Sequence, residues 1–141
     1  MKAPQPQILV VEDNPMNLEL VSDLLEASGF VVHHAASAEQ GLILARAYLP
    51  EMILMDVSLP GLDGLQATKA LRADPATRGL TIIALTAHAM RGDEELALAA
   101  GCDGYLPKPI DTRGFADKIT GFIAAARARR AAAPPSRPYG N

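Results

Sequence analysis

The 141-residue chain has little of what marks secreted and membrane proteins. It contains one cysteine, Cys102, so no internal disulfide framework can form. No apolar run approaches the roughly 20 residues of a membrane-spanning helix, and the first seven residues lack the apolar stretch of a signal peptide. These absences predict a cytoplasmic protein that does not bind membranes.

Basic residues are scarce outside the C-terminal tail. The formal net charge is −3, and residues 124–141 carry four arginines and no acid, which leaves −7 on residues 1–123. An acidic body disfavours nucleic-acid binding. The tail keeps two interpretations open: a solvated end, or a segment that contacts an acidic partner or nucleic acid.

Apolar runs of strand length alternate with segments of helical periodicity. Near-continuous runs of this kind are typical of strands that are buried on both faces. The alternation predicts a three-layer α/β domain, in which a doubly wound, five-stranded parallel sheet carries five helices on its two faces. The predicted strands are residues 8–11, 30–35, 52–55, 81–85 and 103–106.

Capping residues indicate where the helices begin and end. Asn14 followed by Pro15 predicts the start of the first helix, and Gly29 predicts its end. Ser37 and Gln40 form a capping-box pattern at the start of the second helix. The remaining helices are predicted over residues 64–73 with Asp63 as the cap, over 90–100 before Gly101, and from after Asp111 to about residue 133.

Three carboxylates follow the predicted buried strands. Glu12 and Asp13 come directly after the first strand, and Asp56 comes directly after the third. The carboxyl ends of parallel strands meet at one edge of the sheet, where ligands bind. The three groups would repel one another there unless a cation or a proton intervened. We therefore predict a site for Mg²⁺, with Mn²⁺ as the alternative ion.

A hydroxyl and an amine reach the same edge from the fourth and fifth strands. Thr86 and Ala87 follow the fourth strand, and Lys108 and Pro109 follow the fifth. With Asp56 as the nucleophile, this set suggests acceptance of a phosphoryl group on a carboxylate. Lys108 would pair with the developing charge, the Thr86 hydroxyl would donate to a phosphate oxygen, and backbone N–H groups, including that of Ala87, would complete the cradle.

Four motifs, in this order and at this spacing, resemble the response-regulator receiver (CheY-like) domain. The resemblance covers residues 7–125 and leaves 1–6 as a lead and 126–141 as an Ala/Arg/Pro-rich, partly disordered extension. It implies the flavodoxin-like strand order 2-1-3-4-5 and is greatest for hybrid-kinase receivers and stand-alone cell-cycle or phosphorelay regulators. The motifs are Val11-Glu-Asp-Asn14, Leu54-Met-Asp56 with Leu59-Pro-Gly-Leu-Asp-Gly64, Ala84-Leu-Thr-Ala87 and Tyr105-Leu-Pro-Lys-Pro109.

The resemblance implies a donor and a set of metal ligands. Asp56 would accept a phosphoryl group from a sensor histidine kinase or a histidine phosphotransfer protein. The ion would be held by Glu12, Asp13, Asp56 and the backbone carbonyl of Ser58. Glutamate at position 12 stands where aspartate is usual in the family, and we expect it to serve the metal equally. Ser58 and His88 would flank the phosphoryl group and tune its lifetime, although a solvent-exposed loop histidine is the alternative for His88.

The resemblance also implies a route from the site to a partner. Thr86 and Tyr105 would be the switch residues, and a cis peptide bond before Pro109 would orient Lys108. Phosphorylation would then change the surface formed by the fourth helix, fifth strand and fifth helix, which would bind a downstream protein. Both a monomer and a homodimer through the fifth helix are compatible with the sequence.

Three other functions fit parts of the pattern. An aspartyl-nucleophile phosphatase would need a second acid two residues after Asp56, where Ser58 stands. A flavodoxin-like electron carrier would bind a phosphate where Glu12 and Asp13 would repel it. A DNA-binding regulator would use the arginines of segment 127–130. We therefore predict a response regulator that is not an enzyme beyond its own phosphoryl transfer and autodephosphorylation.

Overall fold

Five strands and five helices alternate along the residues that the structure, a computed structural model, describes: 6–57, 63–86 and 91–132. The sequence predicts the same alternation. The strands are β1 (Gln7–Val11), β2 (Val31–Ala35), β3 (Met52–Asp56), β4 (Thr81–Thr86) and β5 (Gly104–Pro107). The helices are α1 (Pro15–Ala27), α2 (Ala38–Tyr48), α3 (Gly64–Ala73), α4 (Arg91–Ala100) and α5 (Phe115–Ala132).

The sheet is parallel throughout, with the strand order β2-β1-β3-β4-β5. This confirms the predicted flavodoxin-like order. The register places Val11 beside Met55, and Asp56 beside Leu85. The carboxyl ends of β1, β3 and β4 are therefore level with one another, so the residues that follow these strands meet at one edge.

Alternate residues of the central strands face opposite layers, because successive side chains of a strand point to opposite sides. Leu9 and Ile53 belong to a core shared with α2, α3 and α4. Ile8 and Leu54 belong to a second core shared with α1 and α5. Each fully buried aliphatic side chain of this kind contributes roughly 1.5–3 kcal/mol of hydrophobic stabilisation. Two separate cores thus hold the sheet from both faces.

The predicted caps of the first and third helices are confirmed. The Asn14 side chain accepts hydrogen bonds from the backbone N–H of Met16 and Asn17, and Pro15 is the first residue of α1. Gly29, just after α1, has a φ of +93°, which a residue with a side chain rarely adopts. The Asp63 side chain caps α3 by accepting from the N–H of Gln66.

The fifth helix begins later than the sequence predicts. Its first helical hydrogen bond runs from Lys118 N to Gly114 O, and the helix starts at Phe115. Asp111 instead accepts from the N–H of Arg113 and closes a turn that precedes the helix. The prediction was wrong because this aspartate side chain bonds two residues ahead, as in an Asx turn, which competes with helix capping.

The start of α2 also departs from a full capping box. Ser37 Oγ accepts from Gln40 N at 3.1 Å, as predicted. The Gln40 side chain, however, accepts from the N–H of Ala36 and not from that of Ser37. The Gln40 side chain therefore bonds Ala36, the residue directly before the Ser37 cap.

The predicted domain boundaries at residues 7 and 125 stay predictions. Helix α5 continues without a break through residue 125 to Ala132. Across residues 6–57, 63–86 and 91–132, no helix is both long enough and apolar enough to span a bilayer.

Candidate phosphoryl-acceptor site

Three carboxylates lie together at the carboxyl edge of the sheet, as the sequence predicts. Glu12 and Asp13 follow β1, and Asp56 is the last residue of β3. One carboxylate oxygen from each lies within 4.8 Å of the other two. The backbone of Glu12 is fixed by a 2.9 Å hydrogen bond from its N–H to Ala35 O. Strand pairing therefore places Glu12 and Asp56, and Asp13 follows Glu12 directly at the exposed rim.

Lys108 reaches this cluster from the loop after β5. Its Nζ donates to the two carboxylate oxygens of Glu12 at 2.9 and 3.1 Å and to Asp56 Oδ2 at 2.9 Å. Its backbone N–H donates to Thr86 O at 2.8 Å. The peptide bond between Lys108 and Pro109 is cis, as the family resemblance implies. The lysine thus joins two carboxylates that would otherwise repel each other.

Burial changes the acid–base behaviour of this group. Glu12 is fully buried and Asp56 is 2% exposed. Burial raises the pKa of Glu12 to about 7, and the hydrogen bond with Asp56 adds to this rise, while Lys108 opposes it. For Lys108, burial alone would lower the pKa, but its hydrogen bonds to Asp56 and Glu12 outweigh burial and raise it. The ammonium therefore stays charged at neutral pH.

The donor set fits a hard divalent cation. Three carboxylates face one ammonium, and two of the three are buried. Their ligand atoms are all oxygens, which is the chemistry that Mg²⁺ prefers. The raised pKa of Glu12 shows that, without a cation, the cluster favours retention of a proton. A divalent ion would relieve the same repulsion.

Thr86 carries a buried hydroxyl at the carboxyl edge of the sheet. It ends β4, beside the strand that carries Asp56, and its side chain is fully buried. Among the described residues, its Oγ1 makes no hydrogen bond. A buried, unpaired hydroxyl costs about 1–3 kcal/mol, so Thr86 is poised to donate to an oxygen that arrives at this edge.

Gly64 ends one of the four motifs, and the structure gives it a steric role that was not predicted from the sequence. It begins α3, and a Cβ built on it would lie 2.2 Å from the backbone oxygen of Asp56 and 2.8 Å from Val57 Cα. Only glycine therefore lets α3 approach the strand end that presents Asp56. A signal was available in the sequence, since glycine is a poor residue for a helix interior and stands directly after the Asp63 cap.

The structure describes only some of the other predicted site residues. Tyr105 is half-buried in β5 and packs against the core shared with α2, α3 and α4. Pro109 is exposed. Ser58, Ala87 and His88 lie outside the described residues, so their predicted roles stay predictions.

Fold and site together define a doubly wound α/β protein with an acidic cluster and a lysine at the carboxyl edge of its sheet. Residues 8–120 match the response regulator receiver domain family, and the chain belongs to that family. It is a response-regulator receiver of two-component signalling, as the motifs predict. Receivers of this family bind Mg²⁺ at an acidic pocket and interact with histidine kinases or phosphotransfer proteins and with downstream targets.

Curated relatives include the polar-differentiation response regulator DivK of Brucella ovis. It is 42% identical over 119 residues, which cover 84% of this chain and 97% of DivK. DivK of Brucella anthropi is 41% identical over the same shares.

Solved receivers have the same architecture. The receiver domain of a sensor histidine kinase from Pseudomonas aeruginosa PAO1 is 38% identical, with a TM-score of 0.79, over 86% of this chain and 99% of that chain. Its structure has a magnesium ion coordinated in the active-site cleft. A CheY-like receiver domain protein from Methanospirillum hungatei JF-1 is 26% identical, with a TM-score of 0.81, over 89% of this chain and 99% of that chain.

Proposed function

We propose that Asp56 accepts a phosphoryl group from a sensor histidine kinase or a histidine phosphotransfer protein, and that the resulting acyl phosphate controls protein contacts. The observation that carries the proposal is the bridge from Lys108 Nζ to Glu12 and Asp56 beside the third carboxylate, Asp13. A merely structural lysine would not need two buried carboxylates with a third one alongside.

The transfer step follows from the positions of these side chains. A carboxylate oxygen of Asp56 attacks the phosphorus of a phosphohistidine, the P–O bond forms, and the P–N bond breaks with its electrons on the imidazole nitrogen. Lys108 stays within reach of Asp56 and neutralises the charge that collects on the phosphoryl oxygens. The Thr86 hydroxyl, which has no partner among the described residues, then gains an acceptor, since a phosphoryl oxygen would stand at the same edge.

Glu12, Asp13 and Asp56 would hold the Mg²⁺ ion, with the backbone carbonyl of Ser58 as a fourth protein ligand. Mn²⁺ would bind the same oxygen donors. When bound, the ion supplies charge neutralisation and orientation for the phosphoryl oxygens. Among the described ligands, the sheet fixes Glu12 and Asp56, and Asp13 lies exposed at the rim.

The output would run through Thr86 and Tyr105 to the surface of α4, β5 and α5. Thr86 sits beside Pro107 in the β4–β5 register, and Tyr105 lies two residues earlier on β5. A movement of Thr86 toward the phosphoryl group would therefore act on the strand that carries Tyr105. The partner on that surface would be a downstream protein or a second copy of this chain, and we place the reaction in the cytoplasm. Ala87 would add a backbone N–H, and Ser58 and His88 would set the acyl phosphate lifetime.

Intact-protein mass after incubation with Mg²⁺ and acetyl phosphate tests the proposal. We expect one added phosphoryl group on the wild type, none on Asp56→Asn, and none without Mg²⁺. Asp63→Asn is the matched control, because asparagine also caps a helix, and it should be modified like the wild type. An unmodified wild type that also forms no beryllofluoride complex would contradict the proposal.

A further inference from the structure

A cavity lies at the amino edge of the sheet, opposite the acidic cluster, where β4 and β5 begin. Its volume is about 330 Å³, and its walls come from α3, the loop that leads into β4, the loop that leads into β5, and the last turns of α5. Half of the ten described lining residues are charged. They are Arg72, Arg78, Arg129, Arg130 and Asp103.

Arg72 is the fixed part of this cavity. Its Nε donates to Gly101 O at 2.8 Å, and its Nη1 donates to Arg78 O at 2.7 Å and to Leu80 O. Its Nη2 pairs with Asp103 Oδ2 at 2.9 Å. These bonds tie α3 to both loops. Because Arg72 and Asp103 neutralise each other, they form a rigid wall with little net charge.

The other three arginines of the lining differ from Arg72 in their contacts. In residues 6–57, 63–86 and 91–132, Arg78 and Arg129 have no ion-pair partner, and Arg130 makes only a 3.3 Å contact with the Thr81 hydroxyl. Arg127, on the same helix, pairs with Glu51 and does not line the cavity. Three arginines without a carboxylate partner among the described residues therefore line one concave space on a protein whose body is acidic.

We propose that this cavity binds a small molecule that carries two or more phosphate groups. Guanidinium groups bind phosphate oxygens in pairs of parallel hydrogen bonds. A concave space of this volume lies within the usual range for small-molecule sites, roughly 300–1,000 Å³. Nucleic-acid-binding domains are usually strongly basic on one face or along a helix, whereas the body of this protein is acidic and Arg127 of α5 is paired with Glu51.

The cavity is separate from the acidic cluster. Strand β4 starts at Thr81, which lines the cavity, and ends at Thr86 beside the cluster. At about 3.3 Å per residue, the two lie roughly 17 Å apart. The proposal does not depend on phosphorylation of Asp56, and each can fail without the other.

The probe is pyrophosphate, titrated into the full chain without Mg²⁺ and followed by amide chemical shifts. We expect saturable shifts confined to residues 72–81, 101–103 and 126–130. The Arg129→Gln/Arg130→Gln variant should weaken binding at least tenfold. Arg113→Gln, which removes an exposed arginine outside the lining, should bind within twofold of the wild type. Adenosine diphosphate is a second probe, and tighter binding than that of pyrophosphate would also support the proposal by adding an organic group to the recognised ligand.

Three results would overturn the proposal. Sodium chloride at the same ionic strength could produce the same shifts, which would reduce the effect to screening. Arg113→Gln could weaken binding as much as the double variant, which would attribute the binding of pyrophosphate to diffuse positive charge. A short DNA duplex could saturate the same amides at a lower concentration than pyrophosphate, which would make the surface a nucleic-acid contact.

Discussion

The carboxyl edge of the sheet (the acidic edge) and the amino edge (the basic edge) carry opposite charge and are built in different ways. At the carboxyl edge, Glu12 and Asp56 are buried, and Lys108 bridges them. At the amino edge, the arginines of the cavity come from helices and a loop, and Arg129 and Arg130 are exposed. Strand register fixes the first set, whereas tertiary packing gathers the second.

This difference indicates how each edge should respond to change. Buried charges that share hydrogen bonds are strongly coupled, because removal of one leaves the others uncompensated. Exposed charges are screened by solvent and contribute little to stability individually. We therefore expect large effects on chemistry from substitutions at the acidic edge. At the basic edge we expect modest effects, with Arg72 as the exception.

The largest expected effect is that of Lys108→Ala, which leaves Glu12 and Asp56 without their shared cation. Loss of a positioned charge of this kind lowers rates by roughly 10²–10³-fold, so we expect acetyl phosphate to modify the variant that much more slowly. Binding of Mg²⁺ at pH 8 should become tighter, since the ammonium no longer competes for the same oxygens. Lys118→Ala, an exposed lysine on α5, is the control. A variant that binds Mg²⁺ more weakly than wild type would contradict this account of the lysine.

Gly64→Ala tests whether the acidic edge depends on close backbone approach. The added Cβ would meet Asp56 O and Val57 Cα, so we expect a loss of about 3 kcal/mol in the free energy of unfolding, at the upper end for overpacking. Gly121→Ala is a matched control within α5, where an added Cβ would meet no atom of another described residue within 4 Å. It should stabilise the protein by up to about 1 kcal/mol. Equal urea midpoints for the two variants would refute the close-approach argument.

Arg72→Gln tests whether Arg72 stabilises the fold, whereas Arg129 at the same edge does not. The substitution removes the donors to Gly101 O, Leu80 O and the Asp103 carboxylate. We expect a cost of about 2 kcal/mol, the usual range for polar groups left without partners. Arg129→Gln should stay within about 0.5 kcal/mol of wild type, as exposed substitutions do. Urea denaturation of both variants measures the free energy of unfolding. A large loss for Arg129→Gln would show that Arg129 also stabilises the fold.

The smallest expected effect is a pH dependence at the acidic edge. Because burial raises the pKa of Glu12 to about 7, the carboxyl retains its proton below that pH, and Mg²⁺ must displace it. Affinity for Mg²⁺ should therefore fall by about tenfold per pH unit as the pH drops below 7. Calorimetric titrations at pH 6, 7 and 8 measure this slope. Glu12→Gln binds more weakly overall but should show a flatter slope, and equal slopes would exclude Glu12 as the titrating group.

The same contrast explains what could be predicted from the sequence. Asp56 ends β3, and Glu12 directly follows β1. The hydrophobic periodicity and the parallel topology were therefore enough to predict that these two carboxylates lie together. The position of Lys108 at the same edge could be predicted in the same way, because this lysine directly follows β5. The approach of Gly64 to Asp56 O depends on how α3 packs, which a motif does not encode.

The basic edge was harder to predict because its residues are distant in sequence. Arg72, Arg78 and Arg129 lie on a helix, a loop and another helix, and only the packed structure brings them to one cavity. Composition indicated an arginine-rich tail, but it could not separate Arg127, which pairs with Glu51, from Arg129, which does not. The start of α5 was misplaced for a related reason, since a local turn bond at Asp111 took the place of a helix cap.

The most direct test of the central claim is to locate the phosphoryl group. Acetyl phosphate and Mg²⁺ would modify the wild type, borohydride would reduce the acyl phosphate to an alcohol, and peptide mass mapping would identify the residue. We predict conversion at Asp56 alone, although Asp13 lies in the same cluster. Conversion at Asp13, or at a residue outside the acidic edge, would contradict the assignment of Asp56 as the acceptor.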